Sequence, residues 1–321
     1  MTLAQLKVFV LVARLGSVKA AAAALAVSEP AVSQALAALR QHLGDPLLVR
    51  SGSAMELTEA GRRVVGIASQ MVNLANDAET AVRQSQGAPE LLRVVATSTI
   101  AEAMAPSLLQ AFSTRTTGVE VSLSAAATTE MAALLHERLA DVALGPRLAS
   151  IDPDAFDSDP LFRYRLVFLA TPLHPLATST QIKPGALTQQ TWCVDAAAVD
   201  PMGEVAQVLT RLRVPPDHVK VFSSPSSALA AAGQGIGIAA AVEYLAQPSI
   251  TNNSLVVLPV IDTPIQLLWH VSSLPRARVS PMVAKFRRFL GTPDAMHAMR
   301  RVDGSVPATR FRPPVHVTIW S

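Results

Sequence analysis

Five residues near the chain start have the types and spacing to read DNA. Ser28, Glu29, Pro30, Ser33 and Gln34 cluster where a short helix would begin. Hydroxyls and free backbone N–H groups at a helix start suit phosphates, while short polar side chains suit base edges in a major groove. Ser17 and Lys19 precede them at the start of an alanine-rich stretch, and Arg40 follows on the same helix. Arg50 and Ser51 sit beside a serine- and glycine-rich turn, a position fit for phosphate or a minor groove.

The elements that must hold these residues follow from periodicity. Leu3, Leu6, Phe9, Val10 and Ala13 recur at helical spacing, and Gly16 stops that run. Ser17 can cap a second helix, Val18 to Leu25, whose alanines permit close approach of a neighbour. Ser28 can cap a third, with Pro30 tolerated in its first turn. Its buried face should be Val32, Ala35, Leu36, Leu39 and Leu43, leaving Ser33, Gln34, Ala37 and Arg40 outside. "PLLVRSGSAMELTEAG" adds a small hairpin with Arg50 at its tip. An ordinary three-helix packing unit would share the helical part of this pattern.

Thr58 can cap a fourth helix running to about residue 86. Its apolar positions, Ala60, Val64, Ile67, Met71, Leu74, Ala78 and Ala81, alternate spacings of four and three. That average of 3.5 residues is the spacing of a coiled-coil seam, with Val64, Ile67, Met71 and Leu74 at its centre, although a single globular domain can cover the same face. A paired seam implies a homodimer, which would meet a two-fold-related double-stranded DNA operator.

After Gly87-Ala88-Pro89 the pattern alternates strand and helix, which predicts a mostly parallel α/β fold. Strands are expected at 91–96, 119–125, 141–145, 165–172, 190–196, 219–224, 254–260 and 265–273, with a helix at 281–290. Ligands of such folds sit beyond the carboxyl ends of the strands. Thr97, Ser98, Thr99, Thr128 and Thr129 fall there, and "DAAAVDP" (195–201) and 223–227 would face them from a second lobe. These hydroxyls suit a small carboxylate or phosphate effector, and Arg147 can pair with a ligand carboxylate, although helix capping accounts for each hydroxyl and a solvated surface position accounts equally well for Arg147.

Charge is distributed unevenly. Residues 1–63 carry seven Lys/Arg against four acids, and residues 275–321 carry nine against two, in a chain of net charge +3. Basic ends around an acidic body favour an anionic partner. Cys193 is the single cysteine, so no intramolecular disulfide is possible and a reducing cytoplasm is the expected location. No membrane partner is expected, since "SALAAAGQGIGIAAAVEYLA" (227–246) reads as helix, glycine turn and buried strand. The seven histidines never fall at metal-ligand spacing, and "GQGIG" follows a helix, the reverse of the dinucleotide-binding order. No cofactor, metal or catalytic activity is expected.

"SVKAAAAALAVSEPAVSQALAALRQHLGDPLLVRSGSAMELTEAG" resembles the winged helix-turn-helix of the LysR-type transcriptional regulators. The Gly-Ser, the alanine-rich helix, "VSxPAxS", the "LG" exit, the "LxxR" wing and "LTEAG" all occur in order within the first 61 residues. The family usually has Gln at the place of Glu29, commonly Arg at Gln34 and typically Glu at Arg40. The resemblance implies the DNA-contacting roles above, and a linker helix that pairs two DNA-binding domains in a dimer or tetramer. It also implies a two-lobed effector-binding domain similar to periplasmic binding proteins, carried more weakly by "LRVVATST…AEAMAPSLLQAF…GVEVSLSAAATTEMAALL…LADVALG". The expected division is residues 1–58 for the winged helix-turn-helix, 59–87 for the linker helix, 88–290 for the effector domain and 291–321 for a basic extension. That extension is read as either a disordered tail or, through "HVTIW", a clamp on a neighbouring lobe. The rival class is a metabolite-binding or catalytic α/β protein whose N-terminal helices serve only assembly.

Overall fold

The computed structural model describes residues 1–52, 54–148, 152 and 154–300. It divides into two compact units, one built on Met1–Glu90 together with Ala133–Ala140, the other on Leu91–Ala132 and the chain from Asp141.

In the first unit, α1 (Leu3–Leu15) starts with a reciprocal Thr2–Gln5 capping box, and α2 (Val18–Leu25) is capped by Ser17. Ser28 caps α3 (Glu29–Leu43), its Oγ accepting from the Ala31 N–H at 3.4 Å. Ala21 and Ala22 of α2 are buried, so the helices of this unit close over Phe9, Val12, Val32, Leu36 and Leu39. The chain bends by 108° between α2 and α3, within the range of a helix-turn-helix. Ala26 makes the turn with φ at 53°, the left-handed region that costs an L side chain about 1 kcal/mol or more. Ala26→Gly should therefore raise the stability of this unit by about 0.5–1 kcal/mol, read as a rise in its denaturant midpoint.

A hairpin follows, β1 (Leu48–Ser51) paired antiparallel with β2 (Ala54–Leu57), with Arg50 opposite Met55. The Met55 N–H donates to the Gly16 carbonyl at 2.8 Å, which ties this wing to the turn between α1 and α2. Asp45 Oδ1 accepts from the Leu47 N–H at 2.7 Å and from the Thr58 hydroxyl at 2.9 Å. Thr58 in turn caps α4 (Glu59–Ser85), its Oγ1 accepting from the Gly61 N–H at 2.9 Å. α4 packs Ala68 and Val72 into the core of this unit and runs about 40 Å at 1.5 Å per residue.

In the second unit the elements are β3 (Glu90–Ala96), α5 (Ser98–Ala103), α6 (Ala105–Arg115), β4 (Val119–Ala125), α7 (Thr128–His136) and β5 (Val142–Gly145). After β6 (Asp157–Ala170) come β7 (Trp192–Asp195), α8 (Glu204–Arg211), β8 (Val219–Phe222), α9 (Pro225–Gly233), β9 (Ala239–Val242) and α10 (Glu243–Thr251). The chain then returns through β10 (Val256–Val257), β11 (Ile265–Ser273), α11 (Pro281–Leu290) and α12 (Pro293–Arg300).

The main sheet runs β10-β6-β11-β5-β3-β4, with β9 also on β6. The expectation of a mostly parallel sheet is corrected. β6 pairs antiparallel with β11, β10 and β9, and β11 with β5, while β3–β5 and the separate β7–β8 pair are parallel. The long antiparallel β6–β11 ribbon is the physical bridge between two lobes. One lobe buries Leu92, Ile100, Phe112, Val142, Trp269 and Phe286, and the Phe112 and Phe286 rings meet edge-on at 5.0 Å. The other buries Leu166, Phe168, Trp192, Val208, Ile238 and Leu258.

Several boundaries differ from the sequence reading. β6 begins at Asp157, eight residues before the apolar run, because Pro160 and the flanking acids disguise its start. Leu43 is 39 % exposed at the last turn of α3 rather than in its core. The extension from residue 291 starts as a packed helix, burying Ala295, Ala298 and Met299, with Asp294 ion-paired to Arg115. "HVTIW" lies outside the described residues.

Candidate functional site

On the first unit, Glu29, Pro30, Ser33 and Gln34 are exposed along one face of the N-terminal half of α3, and Lys19 is exposed on α2. Glu29 stands in the first turn of α3, where the helix dipole favours a carboxylate. Ser17 is half-buried, its Oγ accepting from the Ala20 N–H at 3.2 Å, so its hydroxyl shapes the motif from within. Arg50 and Ser51 are exposed at the wing, and Arg50 Nε donates to the Gly52 carbonyl at 3.3 Å.

Arg40 is placed differently from the expectation. It is half-buried, and its Nη2 donates to the Leu48 carbonyl at 3.2 Å. It braces α3 against the wing and does not join the exposed face of Ser33 and Gln34. Seven positions after Ser33, Arg40 lies in line with it on α3, and it is the chain of β1 at Leu48 that covers the helix there.

Along α4, Ile67, Met71 and Leu74 are 60 %, 42 % and 49 % exposed, and Ala78 and Ala81 are exposed in line with them. Val64 differs from these three, being half-buried against the unit's own core. Exposed apolar rows of this kind are a common feature of association surfaces.

In the second unit a cavity of about 580 Å³ opens between the lobes, lined from one side by Thr99, Glu102 and Pro106 and from the other by Asp195, Glu204 and Ser226. A smaller polar recess continues from it, sharing Thr99, Asp195 and Glu204 and adding Thr97, Thr128 and Asp200. Thr97, Thr99 and Thr128 thus converge as the strand-end pattern predicts. Ser98 reaches the opposite lobe, its hydroxyl donating to Asp195. At the start of α7 the Thr128 and Thr129 N–H groups both point to Asp200 Oδ2, at 2.5 and 3.4 Å. The helix start offered by sequence to a ligand anion is therefore held by the protein's own carboxylate, a charge-assisted contact that clamps the lobes.

Two expected effector residues stand apart. The Thr129 side chain is exposed and outside the cavity lining, and Arg147 lines a separate depression with Arg276, Arg287, Asp157 and Asp159. The turn after β5 carries Arg147 away from the strand ends where Thr97 lies.

Glu204 is the residue that sequence reasoning passed over. Its Oε1 accepts from the Tyr164 hydroxyl and from Trp269 Nε1, the latter at 2.9 Å. Burial pushes its carboxyl above the usual carboxylate range, the two hydrogen bonds opposing this. The available signal was "GEVAQVLTRL", a glycine and an acid ahead of a helical apolar pattern.

Two family models match the chain. That of the bacterial regulatory helix-turn-helix protein, lysR family, covers residues 3–62, and that of the LysR substrate binding domain covers 85–292. The HTH-type transcriptional regulator Rv0377 of Mycobacterium tuberculosis is 34% identical over 326 residues, covering 100% of both chains. The HTH-type transcriptional regulator CfxR of Cupriavidus necator is 27% identical over 313 residues, 97% of each chain. Among solved structures, full-length CbnR complexed with its target DNA superposes with a TM-score of 0.60 at 21% identity, over 90% of this chain and 99% of that one. Sequence motif, fold and whole-length similarity agree: this chain belongs to the LysR family of bacterial helix-turn-helix regulators.

Proposed function

We propose that this protein is a homo-oligomeric regulator that binds a two-fold-related DNA operator through α3 and answers to a small molecule held in the crevice of its second unit. The observation that carries the reading is the exposed N-terminal face of α3, with Glu29, Pro30, Ser33 and Gln34, set at 108° to α2. That bend lets one helix lie in a major groove while the other crosses the backbone. The exposed row on α4 supplies the pairing surface, and pairing presents two such faces. CbnR, a structural neighbour, has been captured on its target DNA, which supports the same use of this fold here. Arg50 and Ser51 on the wing and Lys19 on α2 serve phosphates, and Arg40 serves the wing. Thr97, Ser98, Thr99 and Thr128 frame the effector site, while Thr129 contributes its N–H alone.

A mobility-shift titration with DNA flanking its own gene tests the reading. Specific binding is expected, falling on the order of a thousandfold or more between 50 and 200 mM salt. Binding without sequence preference would contradict it.

Glu29 gives a sharper test. A carboxylate in the groove is repelled by phosphates, yet it can accept from the N4 amine of cytosine, where Gln suits adenine. Selection from randomised DNA with wild type and Glu29→Gln should change preference at one symmetric pair of positions, by about 1–3 kcal/mol. A uniform gain in affinity with an unaltered consensus would mean that the charge serves only the helix dipole.

A further inference from the structure

The polar groups of the crevice are uneven in sign. Its charged lining residues are Glu102, Asp195, Asp200 and Glu204, and no Lys, Arg or His lines it among the described residues. Asp195 and Asp200 already occupy the groups that would attract an anion, the Ser98 hydroxyl and the start of α7. A ligand carboxylate entering here meets filled anion slots and further carboxylates.

Glu204 is differently placed. Both donors that hold it, from Tyr164 and Trp269, use Oε1, and Oε2 has no hydrogen-bond partner among the described residues. Thr97 supplies an independent observation. It is 8 % exposed, precedes α5 without capping it, and its Oγ1 is buried with no partner. Its methyl is seated toward Gly145, where an added Cβ would lie 3.2 Å away, and the residue lines the recess beside Asp195 and Glu204. A buried unpaired hydroxyl is destabilising, and a ligand donor removes that cost. Apart from Thr99 and Ser226, the rest of the cavity wall is largely apolar, with Leu166, Val205, Leu229, Ala240 and Leu245.

We propose that the effector carries a protonated amine on an apolar body, the amine seated where Glu204, Asp195 and Thr97 converge and the body against the apolar wall. This rests on the crevice being the effector site. A cation at that point pairs with the free Glu204 oxygen, and the apolar wall supplies the burial that a bare cation lacks.

The test uses the full-length protein with three probes of similar shape, 2-phenylethylamine, 3-phenylpropionate and 2-phenylethanol, by calorimetry and thermal melting. The amine is expected to bind at least about tenfold more tightly than the other two, and Glu204→Gln to remove about tenfold of that affinity. Thr97→Val should raise the melting temperature of the free protein while weakening the amine. If Glu204→Gln does not fold, the wild-type preference and Thr97→Val decide. Equal binding of all three probes, preference for the carboxylate, or no binding of the amine overturns the amine proposal. Ala103→Phe, which puts a ring into the cavity from its lining, separates that failure from failure of the site. Binding of a carboxylate or alcohol that this variant abolishes keeps the crevice and discards the amine, whereas binding that survives it discards both.

Discussion

Ile67→Asp is expected to abolish dimerisation and operator binding together. Ile67 is 60 % exposed on a 27-residue helix whose other face, at Ala68 and Val72, is already packed into its own unit. The apolar row that continues through Met71 and Leu74 has the 3.5-residue spacing of a two-stranded seam. In a seam related by two-fold symmetry the substitution places two carboxylates close together in a desolvated site. The penalty is several kcal/mol, about a thousandfold or more in the dimer constant. The variant unit should still fold, because Ile67 belongs to none of its buried core. A Leu74→Cys reporter makes the outcome direct, since the native Cys193 is buried. Rapid crosslinking between chains through Cys at 74 should vanish on adding Ile67→Asp, with loss of the shifted DNA band. A variant that still crosslinks and still binds its site would show that the row is not the pairing surface.

The second large effect lies where the wing meets the linker helix. A Cβ at Gly61 would stand 2.0 Å from the Leu47 carbonyl oxygen and 3.1 Å from Leu57 Cδ2. The obstacle is backbone, and the Leu47 carbonyl also accepts from the Thr58 N–H at 3.0 Å, so it cannot move without breaking the cap of α4. Gly61→Ala should cost about 3 kcal/mol or more in the first unit and displace the wing that carries Arg50. Gly66 is the control. It lies on the same helix with no atom within 4 Å of an added Cβ, and Gly66→Ala should stabilise by up to about 1 kcal/mol. Denaturant unfolding followed by circular dichroism compares the two. Similar midpoints for both variants would mean that the close approach at Gly61 is not tight.

Local rules carried the reading furthest where local chemistry decides the structure. Residue type and position mark Ser17, Ser28 and Thr58 as helix caps, and each accepts the expected N–H. The alanine stretch packs closely, as its small side chains require. Partners distant in sequence were out of reach. The Ser98–Asp195 and Thr128–Asp200 clamps join residues 97 and 72 positions apart, so nothing near Thr128 announces that its helix start is already occupied. The Leu48 carbonyl comes to Arg40 only through the hairpin's fold, which the residues around Arg40 do not announce. Antiparallel β6–β11 pairing likewise depends on a return of the chain some hundred residues later, which alternation of strand and helix does not encode.

In the proposed mode of binding, two copies of α3, presented by a dimer, read two related half-sites. Hydroxyl-radical footprinting of the full-length protein on DNA selected from a random pool tests it most directly. Two protected segments related by a two-fold axis are expected on one face of the duplex, an integral number of helical turns apart. Both should be lost together in a Ser33→Ala, Gln34→Ala double variant that remains dimeric. A single unpaired protected segment, or paired protection that survives this double variant, would contradict it.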